Sequence, residues 1–292
     1  MIELLLVLVV ALVVLMMRRA KKRQKAKRDR ERREAQFRRI EVRRQEENTA
    51  REQARIRRQE RIETLNTAFL ARLSKVPVIP LDGKLVKSPK QPPARETWPS
   101  ASNVTKRTPF DSLGNFVSVD IDTTGLDPRS ASIISFAFMR WRNWEPVEAI
   151  TSLVSTKRSV SPAASRVNKI TDDMLIGKPT FPMFIPAITE FIGADPLVGH
   201  NVYFALDFLT YNGVHIFETN RKYYDTQELA EKTWPDSFLV GLGYPLLSLC
   251  QSLDIRDEME DHQSLYDALA IGELFRHCCV RRTGQTSSQT EE

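Results

Sequence analysis

"NFVSVDIDTTGLDP", residues 115–128, orders the rest of the chain. Phe116 to Ile121 alternate and are rich in Val, Ile and Phe, which predicts a β-strand, and the Thr-Thr-Gly that follows predicts a turn. Side chains at i and i+2 of a strand share a face, so Asp120 and Asp122 project together at its carboxyl end. Two carboxylates placed this way repel unless a cation sits between them. Mg²⁺ is the usual guest, held by a few carboxylates and a substrate phosphate. Taken alone, the pair suits equally well two carboxylates that decorate a turn.

Downstream, "ASIISFAFMRW" (131–141) and "EPVEAITSLVS" (145–155) predict two more strands in an antiparallel meander. "TDDML" (171–175) and "FPMFIPAITEFIG" (181–193) predict helices, and "PLVGH" (196–200) predicts a short buried strand leading into the helix "NVYFALDFLTYNG" (201–213). "KYYDTQELAEKTW" (222–234) reads as strand then helix. "YPLLSLCQSLD" (244–254) and "HQSLYDALAIGELFRHCCVRR" (262–282) read as helices. Strands first and strand–helix alternation afterwards predict an α/β domain over 115–280, a mixed sheet flanked by helices. The tail, 281–292, is expected to be disordered.

Upstream, residues 75–114 are rich in Pro, Ser, Thr and Lys and predict an extended linker. Residues 18–74 predict a long charged helix. They hold no Gly or Pro before Ser74, and pairs such as Glu34/Arg38 and Glu47/Arg51 stand at i,i+4 in the favourable orientation. Apolar positions are too sparse before residue 56 for a coiled coil, and only Ile62, Leu65, Phe69 and Leu73 form a stripe. Within 18–62, 20 Lys/Arg face 8 Asp/Glu, whereas 63–292 carry 23 against 28. The basic pI therefore belongs to one segment and says nothing of a basic groove on the globular part. A solvated stalk is the plain expectation. A patch on anionic lipid through residues 18–44 is the sharper one, and binding to nucleic acid is a third.

Residues 1–17, "MIELLLVLVVALVVLMM", carry Glu3 as their one charge and precede a basic run. They predict a transmembrane helix of about 25 Å, slightly short of the roughly 30 Å hydrocarbon core. The flank then places the C-terminal domain on the cytoplasmic side of a single-pass membrane protein. Cys250, Cys278 and Cys279 show neither metal-ligand spacing nor a disulfide framework, as expected in a reducing compartment.

In "DHQSLYDALA" (261–270), His262 and Asp267 fall at the entry and first turns of the closing helix. A loop-borne His can act as general base on water while a helix-borne Asp reaches a metal. Alone, this is also the pattern of a surface His near a helix start.

Taken together, "FVSVDIDTTGLDP", "ITDDMLIGKPTF", "LVGHNVYFALDFL", "YYDTQELA" and "DHQSLYDALA" resemble, in order and spacing, the DEDDh (DnaQ-like) 3′–5′ exonucleases over about 115–280. That is the family of the proofreading subunit of bacterial DNA polymerase III and RNase T. The resemblance implies a ribonuclease-H-like fold and hydrolysis of terminal phosphodiesters of single-stranded DNA or RNA with two divalent cations, Mg²⁺ or Mn²⁺. It implies that Asp120 bridges both metals, that Asp122 and Asp267 are further ligands, and that His262 deprotonates the attacking water. Thr123, Thr124 and Gly125 would lie along the 3′-terminal nucleotide.

Two positions depart from the pattern. Asp122 stands where the family has Glu, one methylene longer. Ala205 stands where the middle motif has Asp, and Asp207, two helical residues on, turns about 200° away. Losing that carboxylate removes one negative charge from a cluster built for two dications. The alternative to an active exonuclease is thus an impaired domain that binds nucleic-acid ends or a protein partner without cutting.

Overall fold

A computed structural model describes residues 2–81, 100–216, 221–237, 239–259 and 264–285. The chain divides into two compact units, residues 1–61 and 62–292.

The first unit is helical. It forms most of α1 (Ile2–Leu73), whose side chains, where described, are exposed as far as Arg61, among them Phe37, Ile40 and Ile56. Arg43 and Glu47 make an i,i+4 ion pair at 3.1 Å, the kind of local support that a helix without a buried face needs. The expected transmembrane segment finds no support here: among the described residues no helix is long and apolar enough to cross a membrane.

The second unit is built on a five-stranded mixed sheet of β1 (Phe116–Thr123), β2 (Ile133–Arg142), β3 (Glu145–Leu153), β4 (Leu197–Gly199) and β5 (Tyr223–Asp225). The order is β3-β2-β1-β4-β5. The first three strands pair antiparallel, while β4 lies parallel to β1 and β5 parallel to β4. β2 is buried almost throughout, because helices cover both faces and a strand between two covers has no face left for water.

Alternation along β1 separates two cores. Val117, Val119 and Ile121 enter an apolar cluster with α4 (Ile185–Ile192) and α5 (Val202–Tyr211). Phe116 enters the other, with α6 (Thr226–Thr233), α7 (Leu246–Ser252) and the long closing helix α8 (Ser264–Thr283). Ser118 shows the same parity, since its Oγ donates to the Ala268 carbonyl of α8 at 2.7 Å. Asp120 and Asp122 share that parity and so belong to the α8 face.

This core reaches beyond 115–280. Phe69 and Leu73, in the last turns of α1, are buried in the α8-side cluster with Val76, Val104 and Leu113. Val78 bridges to Ala149 on the edge strand β3, and Arg282 donates to the Val104 carbonyl at 2.7 Å. Two short helices, α2 (Pro162–Asn168) and α3 (Asp172–Leu175), lie between β3 and α4. The sequence reading did not anticipate α2. Its signal was Ser161-Pro162: the Ser161 hydroxyl caps the helix by accepting from the Ala164 N–H, and Pro occupies the first turn.

Candidate active site

Three of the carboxylates expected from the sequence meet where β1 ends and α8 begins. Asp120 carries the mark of that meeting. Burial, then Asp267, then Asp122 push its carboxyl well above the usual carboxylate range, against the opposing pull of Arg256 and the Ile121 N–H. Two carboxylates that raise the pKa of a third stand beside it.

Each neighbour is held by its own partners. Asp122 Oδ2 accepts from the Ser264 hydroxyl at 2.7 Å, and Ser264, the first residue of α8, also hydrogen-bonds Ser135 on β2. Asp122 and Ser135 are register partners across β1 and β2, so the sheet and α8 fix this carboxylate together. Asp267 lies in the first turn of α8 and is 8% exposed, as is Arg256, whose Nη2 donates to Asp267 Oδ1. Neither Ser264 nor Arg256 stood out in the sequence, since a lone Ser at a helix start and a lone Arg between two helices have no periodic signature.

His262, the expected base, lies outside the described residues. Thr123 ends β1, Thr124 and Gly125 open the turn after it, and their polar groups largely hold that turn. Thr123 Oγ1 donates to the Gly125 carbonyl at 2.6 Å, and the Ser132 N–H donates to Thr124 Oγ1 at 3.0 Å. Asn168, at the end of α2, faces the Thr123 carbonyl at 3.4 Å, so α2 with Arg166 and exposed Lys169 stands beside this turn. A cleft of about 300 Å³ opens there, lined among others by Arg166, Lys169, Leu246, Arg256, Tyr266 and Asp267.

The middle motif serves structure. His200 Nε2 donates to the Tyr244 carbonyl at 2.9 Å, and Nδ1 lies 2.9 Å from Thr226 Oγ1. Burial, which outweighs the Tyr244 carbonyl and the Asp267 charge, lowers its pKa to about 4, so the ring is neutral near pH 7. Asp225 binds the N–H groups of Asn201, Val202 and Gln227 and so caps the starts of α5 and α6 at once. Ala205 is 6% exposed and sits in the apolar cluster with Ile121, Val202, Leu206 and Phe208.

The donor set suits a hard divalent cation in chemistry, since three carboxylates converge and Asp120 gains from any positive charge placed beside it. Its arrangement is less open. Among the described residues no group of three or more His, Cys, Asp or Glu is disposed to hold a metal ion, and one oxygen of Asp267 is taken by Arg256.

The RNase T family, described as exonuclease, matches residues 117–275. The PolC-type DNA polymerase III of Clostridium perfringens (strain 13 / Type A) is 28% identical over 162 residues, 55% of this chain and 11% of that protein. The DNA polymerase III subunit epsilon of Treponema pallidum (strain Nichols) is 29% identical over 165 residues, 55% of this chain and 74% of that protein. The chain therefore spans only about a tenth of the length of the PolC relatives it matches. A solved exonuclease I shares the fold with a TM-score of 0.51 at 16% identity, over 59% of this chain and 42% of that one.

Proposed function

The chain belongs to the RNase T exonuclease family, and on that premise we propose that it is a metal-dependent 3′–5′ exonuclease acting on single-stranded DNA or RNA ends. The observation that carries the reading is the convergence of Asp120, Asp122 and Asp267 at the junction of β1 and α8. Asp120, Asp122 and Asp267 would hold the metal. Bound there, a divalent cation supplies charge stabilisation to the phosphate and a lowered pKa to water. Ser264 orients Asp122, the stiff 123–125 turn presents backbone to the terminal nucleotide, and Arg166 and Lys169 offer charge to the phosphates behind it. His262 takes the proton of the attacking water in this reading, a role that rests on the resemblance. Shortening of a 5′-labelled single strand from its 3′ end, with Mg²⁺ or Mn²⁺ and the full chain, tests the proposal.

A second reading is favoured by two residues. Ala205 contributes no carboxylate, and Arg256 already neutralises Asp267. On it, the domain binds ends, or a protein partner, without cutting. Attachment to a membrane through residues 1–17, with the domain on the cytoplasmic side and anionic lipid under residues 18–44, is a further part of the proposal. The apolar run and its basic flank support it, and retention of the full chain on membranes through a high-salt wash tests it.

A further inference from the structure

Over residues 63–292 the chain is acidic, 23 Lys/Arg against 28 Asp/Glu, yet residues 149–171 hold Lys157, Arg158, Arg166 and Lys169 and no Asp or Glu. All four residues are exposed. Arg158 Nη2 donates to the Arg129 carbonyl at 3.2 Å, and among the described residues none of the four meets a carboxylate. Arg129, by contrast, is matched by Asp127 at 3.3 Å. Unmatched cations gathered on an acidic domain are the electrostatic footprint of a polyanion.

The backbone that carries them is pinned along its length. The Ser155 N–H donates to the Pro179 carbonyl at 2.9 Å, and the Val160 N–H donates to Asp172 Oδ1 at 2.8 Å. Asn168 Nδ2 reaches the Thr123 carbonyl, and Lys169 closes α2 in the left-handed region at φ 56°. Both cation pairs stand beside the turn that follows β1. Arg166 and Lys169 line the cleft that also holds Asp267. Arg158 lies on the 127–131 loop, which returns to the turn through the Ser132 N–H on Thr124 Oγ1. Asp120, Asp122 and Asp267 repel a polyanion, so attraction has to come from beside them. Resting on the reading above that the cleft takes a nucleic-acid 3′ end, we propose that α2 and the loop before it form a phosphate-binding strip for a single strand. Lys157, Arg158, Arg166 and Lys169 meet phosphates on the 5′ side of the terminal nucleotide, fixing the strand's path without reading its bases.

The test measures binding of single-stranded oligonucleotides to the full chain in EDTA, by fluorescence anisotropy. One oligonucleotide carries uncharged methylphosphonates at about four linkages nearest its 3′ end, one for each cation, and the other carries them at its 5′ end. The wild type should bind the 3′-modified strand at least about tenfold more weakly than the 5′-modified one. A variant with Lys157→Gln, Arg158→Gln, Arg166→Gln and Lys169→Gln should bind the two within about twofold, since the basic helix at 18–62 has no reason to tell the ends apart. Exposed substitutions of this kind leave the fold standing, which circular dichroism checks. A wild type that treats the two strands alike, or a folded variant that keeps the wild-type preference, would overturn the strip. So would a variant that keeps the preference and loses retention on phosphatidylserine vesicles, which would assign these cations to lipid. Mn²⁺-dependent shortening by the wild type, run alongside, decides the exonuclease reading by itself. Shortening without an end preference overturns the strip alone, and neither shortening nor preference overturns both.

Discussion

Gly272 lies against Trp141 so closely that a Cβ on Gly272 would sit 2.0 Å from Cζ2 of the indole. The same indole donates to Ser118 Oγ at 3.0 Å, and Ser118 donates to the Ala268 carbonyl of α8. This contact sets the height of α8 over β1, and with it the place of Asp267 beside Asp120.

Gly272→Ala should therefore cost more than an ordinary helix Gly→Ala, which is favourable by propensity. Overpacking a buried contact costs about 1–3 kcal/mol or more, and urea denaturation reads it. The Tm gain from Mn²⁺ should fall as well, since Asp267 moves with α8. An unchanged midpoint would mean that the helix shifts freely and does not position Asp267.

His200 should make stability depend on pH. Its folded pKa of about 4 lies below its ordinary 6.5, so between these values the unfolded chain binds more protons and stability rises with pH. The contribution is complete above about pH 6.5, is lost as pH falls toward 4, and amounts to at most about 3 kcal/mol. The difference in unfolding free energy between wild type and His200→Gln, followed from pH 4 to 7.5, should show this slope. A constant difference would remove the buried neutral ring from the account.

The end of α1 belongs to the folded domain, and its beginning does not. Removing residues 1–61 should leave the denaturation midpoint within error. Removing 1–74 strips Phe69 and Leu73 from the core and should cost on the order of 3–6 kcal/mol, at about 1.5–3 kcal/mol for each buried side chain. Equal midpoints for the two truncations would contradict the packing of Phe69 and Leu73.

Ala205→Asp places a carboxylate within an apolar cluster. Without divalent ions it should lower stability by roughly 1–3 kcal/mol. An Asp whose folded pKa is raised by burial loses stability as pH rises, so the deficit should be larger at pH 8 than at pH 4. A variant as stable as the wild type at pH 8 would place the side chain in solvent.

The sheet and the carboxylates were readable because both follow short-range periods. Alternation set Val117, Val119 and Ile121 against Asp120 and Asp122, and the first turn of the closing helix gave Asp267. The stripe Ile62, Leu65, Phe69 and Leu73 was visible too, but nothing in its spacing said what Phe69 and Leu73 would bury against. Arg256 and Ser264 were invisible for the opposite reason. Each acts through one long-range contact, to Asp267 and Asp122, that no local pattern encodes.

On the proposed function, Asp120, Asp122 and Asp267 form the working site of a 3′–5′ exonuclease. Its most direct measurement compares wild type and Asp120→Asn on one single strand labelled at the 5′ end, and separately at the 3′ end, with Mn²⁺ or with EDTA. The expected result is a ladder shortening from the 3′ end with the 5′ label and immediate release of the 3′ label, each dependent on Mn²⁺ and at least about a hundredfold slower in Asp120→Asn, or roughly 2.7 kcal/mol. Strands left intact by a folded wild type with Mn²⁺ and with Mg²⁺, or cut equally fast by Asp120→Asn, would contradict it.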